Sequence, residues 1–116
     1  PITLYGDGQQ TRSFCFVSDL VDGLIRLMDS DDRVTGPINL GNPVEFTIRE
    51  LAELVCALTQ SDSPMEYRPL PSDDPMQRQP DISTARETLA WEPRVQLKAG
   101  LEASIPYFRE LVLAQN

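Results

Sequence analysis

The chain has 116 residues and a formal net charge of −8. That length allows one domain near the lower end of the usual size range. The acidic balance argues against binding to duplex nucleic acid or to an anionic membrane surface, because both require an excess of lysine and arginine. A small anionic ligand remains compatible with it, because one or two well-placed arginines can dominate the local electrostatic field.

The absence of histidine removes the commonest general base and the commonest metal ligand. The two cysteines, Cys15 and Cys56, each lie in an apolar run, which is typical of buried thiols in a reducing compartment. No apolar run approaches the roughly 18 residues of a membrane span, and no signal peptide is visible. We therefore expect a cytoplasmic protein. Because the chain starts at Pro1 directly in a strand-like run, we interpret it as a fragment of a longer protein.

Two strands and a helix are predicted in the first 29 residues. Residues 2–5, ITLY, predict a strand that ends in a glycine turn. Residues 13–17, SFCFV, predict a second strand, because their apolar side chains alternate. Ser18 is the predicted N-cap of a helix over about residues 19–29, whose apolar positions follow helical spacing.

The middle of the chain contains the clearest helix start. Residues 37–43, PINLGNP, predict a buried strand that ends in a turn. Thr47 and Glu50 are spaced as a capping box, in which the two residues satisfy each other's free backbone N–H groups. This box predicts a helix that continues to about Leu58.

The last part of the chain alternates again between extended and helical patterns. Residues 65–71, MEYRPLP, predict a strand that runs into an irregular segment. Residues 69–80, the proline-rich segment, contain four prolines, which restrict the backbone and remove amide donors. Asp81 is the predicted cap of a short helix through Leu89, and the final helix is predicted over about 97–113.

This alternation of strands and helices predicts an α/β or α+β class. Several strands are continuous apolar runs, as is typical of strands inside a larger sheet. The helix at 19–29 is more apolar than so short a chain is expected to cover, although Arg26 is predicted on its polar face. Gly23 inside this helix costs about 1 kcal/mol of helix stability relative to alanine. A glycine at such a position often marks a place where the helix backbone packs closely against another element. The continuous apolar strands and the apolar helix both suggest that a partner domain is missing.

Arg12 and Arg78 are the candidate binding residues, because each lies in a polar and conformationally restricted segment. Arginine holds phosphate or carboxylate with two parallel donors, so two arginines on opposing loops could clamp a diphosphate. The alternative is that both are surface residues paired with Asp73, Asp74 or Asp81. These aspartates match no Ca²⁺ loop, so we expect no metal site. Without histidine, the chain shows no evident acid, base or nucleophile, and we predict no catalytic residue in it.

Six segments of the chain resemble a known family in their order: YGDGQQTRSFCFVSDLVDGL, GPINLGNP, FTIRELAELV, RPLPSDDPMQRQPDISTAR, LAWEP and GLEASIPYF. They are similar to the C-terminal, substrate-binding part of UDP-glucuronic acid decarboxylases, also called UDP-xylose synthases. These enzymes belong to the extended short-chain dehydrogenase/reductase family, the NAD-dependent epimerases and dehydratases. The resemblance to the decarboxylase branch rests mainly on QTRSF and DDPMQRQPDI.

The resemblance implies a full-length enzyme with an N-terminal Rossmann domain that binds NAD and is absent from this chain. That enzyme would oxidise C4 of UDP-glucuronate, release CO₂ and reduce the ketone to UDP-xylose. Residues from about 14 to 40 would return to the Rossmann side and add a helix and a strand to its sheet. The family's glycine-rich turn and Tyr-x-x-x-Lys pair have no counterpart here, because Lys98 is the only lysine and no tyrosine lies four residues before it. The fragment alone is expected to be inactive and to bind no cofactor.

The resemblance also implies the binding residues and the partners. Arg12 and Arg78 match family arginines that contact the diphosphate or the sugar carboxylate, and Tyr5 and Gln10 match positions that line the nucleoside pocket. The implied partners are a UDP-sugar, the Rossmann domain and a second copy of the enzyme, without nucleic acid or membrane. Two alternatives stay open: a dTDP-glucose 4,6-dehydratase or UDP-sugar 4-epimerase, and a stand-alone nucleotide-sugar-binding module without activity.

Overall fold

The computed structural model describes residues 1–115 of the chain. Within them the helices and strands follow in this order: β1 (Ile2–Tyr5), β2 (Thr11–Ser13), α1 (Val17–Met28), β3 (Glu45–Thr47), α2 (Ile48–Thr59), β4 (Met65–Arg68), α3 (Ser83–Leu89) and α4 (Leu97–Ala114).

The strands form two small sheets of two strands each. β1 pairs in parallel with β4, which places Leu4 opposite Tyr67, and β2 pairs antiparallel with β3, which places Arg12 opposite Phe46. A parallel pair needs a long crossover connection, and the connection from β1 to β4 contains two helices. The predicted mixed class of helices and strands is confirmed.

The second strand and the first helix differ from the sequence prediction. β2 covers Thr11–Ser13 instead of 13–17, because its partner β3 supplies only three residues to the ladder. The chain then remains extended through Phe16, and α1 begins at Val17. The prediction of Ser18 as the N-cap was wrong, because Ser18 lies inside the first turn and Phe16 takes the cap position.

The predicted strand at residues 37–43 does not form within the described chain. Gly41 and Asn42 are buried there, yet no neighbouring strand offers backbone groups to this stretch. A strand exists only through its ladder of hydrogen bonds to a partner. An apolar run without such a partner therefore stays irregular.

The predicted cap of α2 is confirmed, whereas α3 begins after its predicted cap. The Thr47 hydroxyl accepts the backbone N–H of Glu50 at 3.0 Å, which confirms that cap, and α2 ends one residue beyond the predicted Leu58. Asp81 accepts the backbone N–H of Ser83 at 3.0 Å, but the cap position belongs to Ile82, so α3 begins later than predicted. The final helix ends at Ala114, one residue past the prediction.

The core is small and centres on Trp91, whose side chain is only 1% exposed. It packs with α3 residues and with Ile82, and its indole N–H donates to the backbone carbonyl of Asp19 in α1 at 2.9 Å. The Asp19 carboxylate in turn accepts the backbone N–H of Val95 at 2.9 Å. The segment after α3 is thereby fixed to α1.

Gly23 lies at the tightest contact of α1 with this core. A Cβ atom at this position would lie 2.9 Å from the Leu40 side chain and 3.1 Å from the indole nitrogen of Trp91. Both distances are shorter than ordinary van der Waals contact. The prediction that this helical glycine marks close backbone packing is confirmed.

The described chain is more extended than a self-contained domain. Its radius of gyration is 17.1 Å, with principal extents of 51, 36 and 21 Å, whereas a compact domain of this length has a radius of about 13 Å. Apolar side chains along α1 remain open to solvent: Val17, Leu20, Val21, Leu24, Ile25 and Met28. Leu27, predicted on the same apolar stripe, packs instead against the core.

We expect the 116-residue chain to self-associate through the open face of α1. Burying about 400 Å² of apolar surface stabilises an assembly by roughly 10 kcal/mol before the cost of association. Light scattering over a dilution series measures the mass, and the double variant Leu24→Lys/Ile25→Lys should shift it towards one chain. A mass of one chain at every concentration, without binding of a hydrophobic dye, would contradict this expectation.

Candidate anion-binding site

A cavity of about 420 Å³ lies where β2 ends against the proline-rich segment. It brings together Arg12 from β2, Arg78 and Gln79 from the proline-rich segment, and Asn39 and Asn42 from the loop before β3. These residues are distant in sequence and carry side chains that can donate hydrogen bonds. The structure thus places both candidate arginines at one cavity.

Arg12 is held by contacts within the protein. Its Nη2 atom lies 2.6 Å from an oxygen of Asp74, and its Nη1 atom donates to the carbonyl of Thr11 at 2.7 Å. The Arg12 side chain is 19% exposed and that of Asp74 is 30% exposed. The sequence left open the alternative that the two arginines pair with nearby aspartates. For Arg12 this pairing is present, at the edge of the cavity.

Arg78 differs from Arg12 in its surroundings. It is exposed, and no carboxylate within residues 1–115 forms an ion pair with it. Its guanidinium is thus the charge at this cavity that no described residue neutralises. A ligand anion would gain its net electrostatic attraction mainly from Arg78.

The proline-rich segment is attached to the β2–β3 ribbon at several points besides Arg12. Three hydrogen bonds make these attachments, each at 2.8 Å: the Thr11 N–H donates to the Met76 carbonyl, Gln77 Nε2 to the Glu45 carboxylate, and Gln79 Nε2 to the Pro43 carbonyl. Prolines restrict the remaining backbone freedom of the segment. It is therefore an ordered wall of the cavity.

The predicted nucleoside contacts lie outside this cavity. Gln10 is 4% exposed, and its amide donates to the carbonyl of Tyr5 at 3.1 Å. The Gln10 Oε1 atom has no hydrogen-bond partner among the described residues, and the Tyr5 ring is about half exposed. Neither residue lines the space between Arg12 and Arg78. The assignment of Tyr5 and Gln10 to a nucleoside stays a prediction.

Cys15 lines the cavity, and its chemistry bears on whether the site could be nucleophilic. Partial burial raises the pKa of the Cys15 thiol, and the nearby Asp19 carboxylate raises it further. The thiol therefore stays protonated near neutral pH, whereas a cysteine nucleophile needs the thiolate. Cys15 is therefore a weak candidate for a nucleophile at this cavity.

Three polar residues of the cavity were not singled out from the sequence: Asn39, Asn42 and Gln79. Asn42 is buried and accepts the backbone N–H of Val44 at 3.0 Å, which shapes the turn before β3. Asn39 contacts the carbonyl of Asp81 at 3.4 Å. Asparagine is common in turns, so nothing in the local sequence distinguishes an asparagine or glutamine that lines a binding site from one that only shapes a loop.

A larger groove of about 610 Å³ lies between α2 and α4. Its lining is mainly aliphatic and aromatic, with Val55, Leu101, Ile105 and Phe108 among the residues. Arg109 is the cation at its rim. Because an anion needs several converging donors, the cavity between Arg12 and Arg78 is the better candidate.

Neither a metal cluster nor a membrane span is found within residues 1–115. No three histidine, cysteine, aspartate or glutamate side chains converge there in a way that could hold a metal ion. Among the helices of this range, none combines the length and the apolar composition that a membrane span requires.

Comparisons with known proteins relate this geometry to sugar-nucleotide enzymes. Residues 1–41 match the model of the NAD dependent epimerase/dehydratase family. Over all 116 residues the chain is 50% identical to UDP-glucuronic acid decarboxylase 1 of Arabidopsis thaliana, of which it covers 26%. Over 111 residues, 95% of the chain, it is 50% identical to UDP-glucuronic acid decarboxylase 1 of Danio rerio, of which it also covers 26%.

A solved structure shows the same fold over nearly the whole chain. The UDP-glucuronic acid 4-epimerase of Bacillus cereus, in complex with UDP-glucuronic acid and NAD, superposes with a TM-score of 0.89 at 28% identity. The match covers 96% of this chain and 36% of that protein. Of the two UDP-glucuronic acid decarboxylases described above, the chain spans about a quarter of the length. Its first 41 residues match the NAD dependent epimerase/dehydratase family, and along its whole length it is similar to UDP-glucuronic acid decarboxylases.

Proposed function

We propose that this chain is the UDP-sugar-binding portion of an NAD-dependent UDP-glucuronic acid decarboxylase, a lyase. The observation that carries the proposal is the meeting of Arg12 and Arg78 at one polar cavity. UDP-glucuronate presents a diphosphate and a carboxylate, and arginine is the side chain best suited to both groups. The overall charge of −8 makes such local cations necessary.

In this proposal the chain's residues bind and orient the substrate. Arg78 supplies the free positive charge, Arg12 adds donors from a fixed position, and Gln79 offers a neutral amide at the same wall. In the overall reaction, oxidation at C4 creates a β-keto acid, the carboxylate leaves as CO₂, and the ketone is reduced to UDP-xylose. Arginine suits such a site because it holds an anion without giving up a proton.

NAD would supply the hydride acceptance and return that this sequence of steps needs. The residues of this chain do not fit the cofactor, because no G-x-G-x-x-G turn opens a helix in it. The NAD-binding residues would thus belong to the rest of the full-length protein. The open apolar face of α1 supports the proposal that residues about 14–40 pack against that Rossmann domain.

The cellular setting of the full-length protein is also proposed. Both cysteines are free thiols in the structure, which supports a reducing, cytoplasmic location. A homo-oligomer agrees with the exposed apolar side chains of α4, such as Tyr107, Phe108 and Val112, which lie apart from the α1 face assigned to the Rossmann domain.

A sister activity is the second candidate, because the solved structure described above is a 4-epimerase at 28% identity. The two activities differ in whether the carboxylate leaves. Incubating the full-length protein with NAD and carboxyl-labelled UDP-glucuronate, and collecting the CO₂, separates them. Release of labelled CO₂ with formation of UDP-xylose supports the decarboxylase, whereas UDP-galacturonate without CO₂ would establish the epimerase. A protein that binds UDP-glucuronate but converts none would fit the non-catalytic module.

In the full-length enzyme, Arg12→Ala and Arg78→Ala should each lower kcat/KM for UDP-glucuronate. A hydrogen bond from a charged donor to a ligand anion contributes about 1.5–3 kcal/mol, so the expected loss is roughly ten- to hundred-fold per arginine. Lysine at either position should restore only part of the loss, because it cannot form the planar two-donor fork. Steady-state kinetics, with thermal unfolding of each variant alongside, makes the measurement.

The control for these variants is Arg33→Ala. Its side chain is 91% exposed and pairs only with Asp31 beside it, so its loss should change kcat/KM very little. Arg26, which the sequence placed on an exposed polar face, is unsuitable: its guanidinium donates to the carbonyls of Leu89 and Ala90, at 3.3 and 2.9 Å. Folded alanine variants of Arg12 and Arg78 with unchanged kcat/KM would refute the site.

A further inference from the structure

We infer that Asp74 is a positioning residue of the anion site: it holds the Arg12 guanidinium and, through it, the segment that carries Arg78. This inference rests on the proposed function, because it assumes that the cavity binds the anionic part of a UDP-sugar. Asp74 itself does not line the cavity. Its effect on the ligand would therefore pass through the two arginines.

The first support is the geometry of the Arg12–Asp74 pair. At 2.6 Å between Nη2 and Oδ1 it is a short, charge-assisted contact between side chains that are both partly shielded from water. It joins residues 62 positions apart in sequence. Together with the contact from Nη1 to Thr11, it fixes the guanidinium at two points. A ligand would meet an arginine whose orientation is already set, and less conformational freedom would be lost on binding.

The second support is the place of this pair among the attachments of the proline-rich segment. The attachments through Met76 and Gln79 are neutral hydrogen bonds to or from backbone groups, and Gln77 donates its neutral amide to the Glu45 carboxylate, so none of these three is an ion pair. The pair at Asp74 is the ionic one among the described contacts, and it lies four residues before Arg78 in sequence. Loss of this pair should free the segment around Arg78 while leaving the other three attachments in place. Both arginines would then be less ordered at the cavity.

The geometry also gives the direction of the effect. If Asp74 competed with the ligand for Arg12, its removal would strengthen ligand binding. Yet the contacts of Arg12 with Asp74 and Thr11 use one donor each on Nη2 and Nη1. Guanidinium has five N–H donors, so three stay available to a ligand while Asp74 remains in place. Removal of Asp74 should accordingly weaken binding.

The test measures the affinity of the full-length protein for UDP-glucuronate by titration calorimetry. Asp74→Asn should weaken binding about ten-fold, because a neutral amide holds a guanidinium less strongly than a carboxylate does. Asp74→Glu keeps the carboxylate and should recover part of that loss. Asp73→Asn is the matched control: it removes the same charge from the neighbouring residue, which is exposed and forms no ion pair within residues 1–115. Its affinity should stay within about two-fold of the wild type.

A double-mutant cycle separates positioning from a general loss of structure. If Asp74 acts through Arg12, the double variant Arg12→Ala/Asp74→Asn should bind no more weakly than Arg12→Ala alone. Independent, additive losses would overturn the inference, as would tighter binding by Asp74→Asn or equal losses for Asp73→Asn. Melting temperatures are measured for each variant, because a merely structural role would lower stability without this pattern of coupling.

Titration with UDP in parallel keeps this test independent of the proposed reaction. If the full-length protein releases no CO₂ but binds UDP, the decarboxylase proposal fails, while the comparison of Asp74 with Asp73 can still be made with UDP. If CO₂ is released and the two aspartate variants behave alike, the inference about Asp74 fails alone. A full-length protein that binds neither UDP nor UDP-glucuronate would overturn both.

Discussion

The 116-residue chain by itself is expected to release no CO₂ from UDP-glucuronate, even when NAD is added, whereas the full-length protein should convert it. The carboxylate of UDP-glucuronate leaves only after a ketone at C4 can accept the electron pair of the broken bond. Forming that ketone needs a hydride acceptor and a base, and the chain has neither a glycine-rich NAD turn nor a histidine. The expected effect is therefore a complete loss of turnover.

The side chains that could substitute for the missing groups do not meet the need. Lys98, the only lysine, lies exposed in the first turn of α4, and residue 94, four positions before it, is an arginine. The Cys15 thiol is kept protonated by its raised pKa. Collecting CO₂ from carboxyl-labelled substrate measures the activity, with the full-length protein as the positive control. Turnover that co-purifies with the short chain and depends on NAD would refute this prediction.

Trp91→Ala should lower the free energy of unfolding of the chain by about 3–5 kcal/mol. The ring is 1% exposed and fills the centre of the core beside Ile82 and Ala85. Alanine would leave a cavity and would remove the hydrogen bond from the indole to the Asp19 carbonyl. Because so few residues of this chain are buried, little remaining core can compensate. Urea denaturation followed by circular dichroism measures the loss of unfolding free energy. A variant that is already unfolded without urea would have lost the whole stability of the chain, which is the largest loss that this experiment can register.

Two other aromatic substitutions serve as controls for Trp91. Trp91→Phe keeps most of the buried ring but loses the indole N–H, so the cost of that hydrogen bond should be nearer 1 kcal/mol. Tyr107→Ala removes a ring of α4 that is 65% exposed and should change stability much less. Equal urea midpoints for Trp91→Ala and Tyr107→Ala would show that this cluster does not hold the fold together.

The elements predicted well are those whose causes lie within a few residues. β1 has the predicted bounds, and α2 begins where Thr47 caps Glu50. Two of the predictions that failed, by contrast, depend on distant partners. Residues 37–43 are apolar enough for a strand but find no strand to pair with in the described chain, and β2 is shortened to the length of its partner.

Composition and local spacing were enough to predict the mixed class, the capped start of α2, and the available chemistry: two candidate arginines and no histidine. These features follow from composition and from contacts between near neighbours. The folded chain was needed to show that Arg12 pairs with Asp74 and that Arg78 shares its cavity. It also decided that Arg26 caps the end of α3 instead of pointing freely into water. Arginine side chains are long and reach partners that are brought near only by folding, so spacing along the chain carries no information about these pairs.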